Sequence, residues 1–337
     1  FGSSSEPSHS AGAHPLLLGG TSEAWPLATA RMAVPKPCPI RFGEPVHVRA
    51  EDPVTSAAWE GLERLAELPK PGGGARRARV AKALLSPEEA LGLLQAAKAL
   101  EFVEEEGSCG SASSVQVMEA GQYLGKAFAA SLRPVVDGRL LPFVRSRLGC
   151  PGAVVRGAEV WRRRPGGGEA VRLCAQRLSF CTAVLALNPE DARGGIFLQA
   201  GASVDSPGFV PLDCGDLLLH QHDLPQGVRV QEGEWLGVAF HFKDSILACL
   251  TNTAPWYGPL AERGDADAQA GLAFLQESGA DQGGPASAVR WYTAAAEQGQ
   301  PEAQERLGSM HHAGEGGLGA DAARAVHWWH KAALQGQ

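Results

Sequence analysis

One phrase of nine residues recurs three times toward the C-terminus and constrains the fold more than any other feature of the chain. Trp256-Tyr257 leads to Ala261-Glu262-Arg263-Gly264, Trp291-Tyr292 to Ala296-Glu297-Gln298-Gly299, and Trp328-Trp329 to Leu334-Gln335-Gly336. The copies begin at 256, 291 and 328, intervals of 35 and 37 residues. Between them Gly264-x-x-x-Ala268-Gln269 returns as Gly299-x-x-x-Ala303-Gln304 and Gly279 returns as Gly314, with the two extra residues falling in the loop 314–320. A period of this length, written as helix, glycine-rich turn, helix and glycine, describes hairpins that stack into an all-α solenoid, each burying its face on the next.

The phrase A-x-x-W-Y-x-x-A-A-E-x-G from Ala288 to Gly299 resembles the Sel-one-like repeat, a relative of the tetratricopeptide repeat. The resemblance spans residues 256–337, reads as a truncated array, and implies a surface that holds a protein partner. The alternative reading is a pair of helical hairpins that only caps the preceding domain.

The other end of the chain reads differently. Residues 1–35 are rich in Ser, Gly, Ala and Pro without a sustained period, which predicts a disordered low-complexity tail, because such a segment buries too little surface to offset its ordering entropy. Pro69 to Ala75 is a second flexible stretch. Ser86-Pro87-Glu88-Glu89 then opens a helix, with Ser as N-cap, Pro at the first turn and Glu89 completing a capping box. Tyr123 to Leu148 predicts a second helical region broken at Gly138. From Val154 the period shortens. Val154-Val155, Val160-Trp161, Leu178 to Leu187, Gly195 to Gln199, Val210 to Leu212, Leu217 to Leu219, Val228 to Val230 and Trp235 to Phe242 are short apolar runs between Gly/Pro/Asp turns. That spacing predicts an antiparallel jelly roll with helices packed outside, so that the chain as a whole is α+β.

Charge and cysteine usage exclude several classes of function. The 337 residues carry a net charge of −7, and the basic runs Arg76-Arg77 and Arg162 to Arg164 are short, which argues against a nucleic-acid partner. No apolar run approaches the roughly eighteen residues of a membrane helix, so a soluble protein is expected. Seven scattered cysteines without a C-x-x-C argue against a disulfide framework or a structural zinc site, and fit a reducing, cytoplasmic compartment.

The ordered series LLSPEEA (Leu84 to Ala90), Leu187-Asn188-Pro189, Gly194-Gly195, Gly215-Asp216-Leu217, Gly227-Val228-Arg229-Val230 and Gly233 resembles the prolyl 4-hydroxylase branch of the iron(II)/2-oxoglutarate dioxygenases, a double-stranded β-helix. The resemblance covers residues 79–250. It implies a His-x-Asp pair and a distal His that hold Fe(II) on one face, and a late-strand basic residue that pairs with the cosubstrate carboxylate. At those positions this chain has Cys174 and Gln176, Gln226, and Trp235, and the family's upstream tyrosine falls on Arg163. No histidine lies between His47 and His220, and no Asp or Glu between Glu169 and Glu190, so His-x-Asp is absent from that strand in any register.

No catalytic residue and no cofactor are therefore expected. Two other readings stay open. One is an active hydroxylase using Fe(II) and 2-oxoglutarate through a non-standard ligand set. The other is a transition-metal protein whose ligands are drawn from Cys174, His220, His222 and His241, a thiolate and imidazole set suited to Zn(II) or Cu. On a strand His220 and His222 share a face. His241 alternates with Phe240 and Phe242 and reads as a rim or core histidine. His311, His312, His327 and His330 read as solvated repeat residues, and Arg162 to Arg164 as an exposed edge that could meet an anion.

Overall fold

The computed structural model describes residues 63–69, 75–104, 112–165, 176–199 and 207–335. The tail expected over 1–35, most of the glycine-rich stretch after Pro69, and Cys174 lie outside the described residues.

In chain order the strands are β1 (Glu63–Pro69), β2 (Ala75–Ala81), β3 (Val103–Glu104), β4 (Ala112–Glu119), β5 (Gln122–Tyr123), β6 (Val154–Arg163), β7 (Cys181–Ala186), β8 (Ala192–Gln199), β9 (Pro207–Val210), β10 (Leu217–Gln221), β11 (Gln226–Gly233) and β12 (Trp235–Lys243). The α-helices are α1 (Pro87–Lys98), α2 (Lys126–Val135), α3 (Leu141–Leu148), α4 (Ile246–Thr251), α5 (Tyr257–Glu262), α6 (Ala266–Glu277), α7 (Gly284–Glu297), α8 (Pro301–Ala313) and α9 (Ala322–Ala333).

Two antiparallel sheets face each other. The larger runs β1-β2-β10-β7-β12-β6-β4-β3, with β5 on β4, and the smaller runs β11-β8-β9. From β7 onward the chain alternates between them, large for β7, β10 and β12 and small for β8, β9 and β11. That is the antiparallel jelly roll the apolar spacing predicted, with the strand order of the double-stranded β-helix that the resemblance implied. Side-chain alternation divides each strand between two cores. Val184, Leu218, Trp235 and Ala239 of the large sheet meet Ile196, Leu198 and Val230 of the small sheet inside the barrel. Cys181, Ala183, Leu185, Leu217, Leu219, Val238 and Phe240 point the other way, onto Leu93, Phe128, Leu132 and Phe143 of the outer helices. Each buried Leu or Phe contributes about 2 kcal/mol.

The recurrent motifs have packing roles. Ser86 and Glu89 form the capping box of α1. The Asn188 side chain accepts the Leu236 N–H at 2.6 Å and donates to the Glu234 carbonyl at 3.0 Å, pinning the β7–β8 turn to β12. Asp216, buried, takes the Lys82 ammonium at 2.6 Å and the N–H groups of Ala83 and Asp213. Gly194 has φ +139°, and a Cβ there would lie 2.2 Å from the Arg229 carbonyl oxygen, so only glycine allows β8 and β11 to pair so closely.

Four local expectations change. Ala75 pairs with Pro69 at the near end of a β1–β2 ladder, so the ends of the flexible stretch are strand; the alternating basic residues of β2 hide that strand from an apolar pattern. The second helical region does not break at Gly138. It begins at Lys126 and passes through a π-helical turn, Val136–Leu140, into α3, just before Pro142, which offers no N–H and crowds the carbonyl four residues back. Tyr123 itself belongs to β5. Arg162 and Arg163 are not on an edge, because β6 is flanked by β4 and β12.

The repeats begin as an extension of the barrel. Trp256, Tyr257, Ala261, Ala268, Leu272 and Leu275 belong to the same buried cluster as Phe180 and Cys181 of the barrel. Beyond them Ala270, Ala288, Tyr292, Leu307 and Met310 form the core between successive hairpins. Among the described residues no helix is long and apolar enough to cross a membrane.

Candidate functional site

The site is built from the inward faces of five strands at one end of the barrel. On β10 the face that carries Leu218 also carries His220; on β7 the face of Val184 carries Thr182; on β12 the face of Ala239 carries His241. The ladder sets Thr182 opposite both His220 and His241, so the three form one row across the sheet. Glu159 reaches the same end from β6, opposite Ala239. Gln226, the first residue of β11, faces them from the small sheet on the side of Val228 and Val230, close enough to the His220 ring to interact with it.

His220 is fully buried, and its Nδ1 lies 3.0 Å from the carbonyl oxygen of Gln221. A carbonyl only accepts, so in the neutral ring Nδ1 carries the proton and Nε2 bears the lone pair. Burial pushes the His220 pKa down to about 4, which keeps the ring neutral near pH 7. His241 turns Nε2 toward Glu159 Oε1 at 3.7 Å. The His241 ring beside Glu159, with the Trp161 indole N–H donating at 3.0 Å, holds that carboxyl below the usual carboxylate range. His241 Nδ1 and Thr182 Oγ1 make no hydrogen bond, and the Gln226 amide, though it lies beside the His220 ring, makes no well-aligned bond to Nε2.

Gln226 thus stands at the start of β11 and Trp235 at the start of β12, the positions that sequence reasoning assigned to the distal ligand and the cosubstrate's basic partner. Trp235 is 1% exposed and packs among Leu218, Leu224 and Val230 in the barrel interior. Its ring closes so tightly over β12 that a Cβ on Gly237 would lie 2.4 Å from it. Gln176 lies on the turn before β7, half-buried. The described residues do not fit Fe(II) with 2-oxoglutarate: Gln226 is neutral, the interior carboxylate Glu159 is engaged by His241 and Trp161, and the position that the resemblance gives to a basic residue holds an indole.

His220 and His222 do not share a face. β10 ends at Gln221, and the turn that follows sends His222 outward, edge-on to the Tyr257 ring at 4.8 Å and 6.4 Å from Trp256. The arginine run meets local partners: Arg162 lies 4.1 Å over Phe102, Arg163 donates to the Ser113 carbonyl, and Arg164 pairs with Glu234. His311 is buried and not solvated, since α8 turns it into the repeat interior, while His312 rests against Trp329. Among the described residues Cys150, Cys181, Cys214 and Cys249 form no disulfide. Sequence reasoning missed Thr182 and Glu159; the signal was their even spacing from Val184 and Trp161 on inward strand faces.

A second concavity lies where the barrel meets the repeats. Arg177, on the turn before β7, pairs with Glu302 of α8 and lies 5.2 Å over the Phe274 ring of α6. With Glu277, Tyr292 and Arg306 these side chains line a cleft of about 610 Å³.

Comparison with known proteins bears on both parts. Residues 266–300 and 301–337 each match the Sel1 repeat. The fold is similar to an oxidoreductase of the 2OG-Fe(II) oxygenase family from Burkholderia pseudomallei, with 14% identity, 53% of this chain and 87% of that one covered, and a TM-score of 0.41. It is similar to a prolyl-4-hydroxylase from Pseudomonas putida at 14% identity, covering 49% and 91%, with a TM-score of 0.37. The repeats are similar to a Sel1 repeat protein from Oxalobacter formigenes at 34% identity, covering 24% and 33%, with a TM-score of 0.23. No curated protein matches the chain.

Proposed function

We propose that residues 79–250 are a dioxygenase-like β-helix that has lost Fe(II)/2-oxoglutarate catalysis, and that together with the Sel1-type repeats over 256–337 it serves as a protein-interaction scaffold. The observation that carries this reading is Trp235. An indole buried among Leu218, Leu224 and Val230 stands at the late-strand position to which the oxygenase resemblance assigns the cosubstrate's basic partner. A dicarboxylate inserted there would leave its charge unpaired in an apolar interior, at a cost of several kcal/mol. Scaffold residues such as Asn188, Gly194 and Asp216 keep their packing roles without the ligands, as expected when a fold outlasts its chemistry.

The cleft beside Arg177 supports the interaction half of the proposal. It combines an aromatic floor, Phe274 and Tyr292, with the opposed charges of Arg177, Arg306, Glu277 and Glu302, a surface suited to a peptide that carries both apolar and charged side chains.

The test is an anaerobic titration of the full chain with Fe(II) and 2-oxoglutarate, followed by oxygen. Folded protein is expected to give neither the visible charge-transfer band of a ternary complex nor succinate. Stoichiometric succinate would overturn the loss of catalysis and make the active hydroxylase the better reading.

A further inference from the structure

We propose that the inner end of the barrel is a binding site for one divalent transition ion of the zinc or copper kind, held by His220 Nε2 and His241 Nδ1 with the Gln226 amide oxygen as third ligand. This set shares one position, Gln226 at the start of β11, with the oxygenase pattern; its two imidazoles lie on β10 and β12, it contains no carboxylate, and it requires no cosubstrate.

Three observations carry it. The two imidazoles flank Thr182 in one row of the sheet, so their Cα atoms are two strand spacings, about 10 Å, apart. Both belong to the same inward row, which allows a single ion to be shared between them. Each ring also has its second nitrogen facing an oxygen acceptor, Nδ1 of His220 the Gln221 carbonyl at 3.0 Å and Nε2 of His241 the Glu159 carboxylate at 3.7 Å. Metal-binding histidines are characteristically held this way, because an acceptor on the far nitrogen fixes the tautomer and aims the lone pair. Finally, the polar atoms at this end are poorly satisfied. Thr182 Oγ1 and His241 Nδ1 are buried without hydrogen bonds, and the one side chain beside the lone pair of His220 is the Gln226 amide, which makes no well-aligned bond to it; an unsatisfied buried group costs roughly 1–3 kcal/mol.

The ligand set selects the ion. Two imidazoles and an amide suit Zn(II), Cu(II) or Ni(II), whereas Mg(II) and Ca(II) need several hard oxygen ligands that this face lacks. Glu159, outside the ligand set, supplies negative charge against the ion. Its side chain and that of His241 keep 29% and 14% exposure, so the ion enters from the open end of the barrel.

The experiment uses the full chain purified without a histidine tag and freed of metal by a chelator. Co(II) is titrated while its visible d–d bands are recorded, and Zn(II) is then added in competition. One equivalent of Co(II) in a nitrogen-bound spectrum, displaced by Zn(II), is expected. His220→Asn and His241→Asn should each weaken binding about 100-fold, and Glu159→Gln, a positioning change, about 10-fold with the spectrum altered. Gln226→Leu, which replaces a poorly satisfied amide by an apolar group of similar size, keeps the fold if His220→Asn does not, and should also weaken binding about 10-fold. The variant His327→Asn/His330→Asn should bind as the parent does. Absence of stoichiometric binding would overturn the proposal. So would binding indifferent to His220, His241 and Gln226, or binding lost in the repeat-histidine variant or in Cys174→Ser.

Discussion

The hydroxyl of Tyr257, the second aromatic of the first repeat phrase, donates to the backbone carbonyl of Arg177 at 2.7 Å across the junction between barrel and repeats. The bond lies in a buried seam. Tyr257 is 1% exposed, its ring packs against His222, and Arg177 continues outward to Glu302 and Phe274. Tyr257→Phe removes the donor and leaves the Arg177 carbonyl unsatisfied. It is expected to lower stability by about 1–2 kcal/mol, measured by urea denaturation. Because one apolar cluster runs from Phe180 through Leu272, the described barrel and the first repeat should unfold in a single transition. Two separated transitions in the parent protein would show that the seam does not couple them.

Gly271 tests the same seam from the other side. A Cβ at this position on α6 would lie 2.3 Å from the Tyr257 ring, and that ring is held in place by its hydroxyl bond and by His222. Gly271→Ala should therefore destabilise by about 2–3 kcal/mol. In a Tyr257→Ala background the added methyl has room, so the double variant should lose clearly less than the sum of the single losses. Strict additivity in denaturant midpoints would rule out the contact as the cause.

The legible parts of this chain were those with a period. The repeat phrase placed Tyr257, Trp291 and Trp328 on α5, α7 and α9, the first helix of each hairpin, and apolar runs placed β7, β8, β10, β11 and β12; the run Val210 to Leu212 met β9 only at its last residue, because β9 is Pro207–Val210. The β1–β2 ladder was not legible, since β2 reads Ala75-Arg-Arg-Ala-Arg-Val-Ala81 and its apolar residues are too small and too few to mark a face. The site was half legible. His220, His241 and Gln226 were named from their residue types and their place in the family pattern, but only the register brings them together across Thr182. His222 failed for a local reason: β10 ends at Gln221, so the alternation that tied it to His220 stops one residue short.

Trp235→Arg restores the charge that the oxygenase pattern places on the late strand, and is expected to harm the protein. Among the apolar neighbours of Trp235, which include Leu224 and Val230, a guanidinium has no counter-ion, and the change also leaves a void where the indole packed. A loss of several kcal/mol follows, read as a fall in thermal midpoint. Adding 2-oxoglutarate should not recover it. A midpoint that rises with 2-oxoglutarate concentration would mean that the cosubstrate cavity persists behind the indole, contrary to the proposed loss of catalysis.

The metal-free protein should lose stability in acid partly through His220. Burial holds its folded pKa near 4, against an ordinary value of 6.5 for the exposed ring. Between those two pH values the unfolded chain binds a proton that the folded chain refuses, so stability rises with pH across this window and falls as pH drops from 6.5 toward 4. At about 1.4 kcal/mol per unit of difference, the full effect is about 3 kcal/mol. His220→Gln cannot take up that proton. Chelator-treated variant and parent, unfolded by urea at a series of pH values, should therefore show slopes that differ by one proton between pH 6.5 and 4 and coincide above pH 7. Equal slopes throughout would mean that the His220 ring accepts its proton inside the fold, and that its Nε2 lone pair already has a partner.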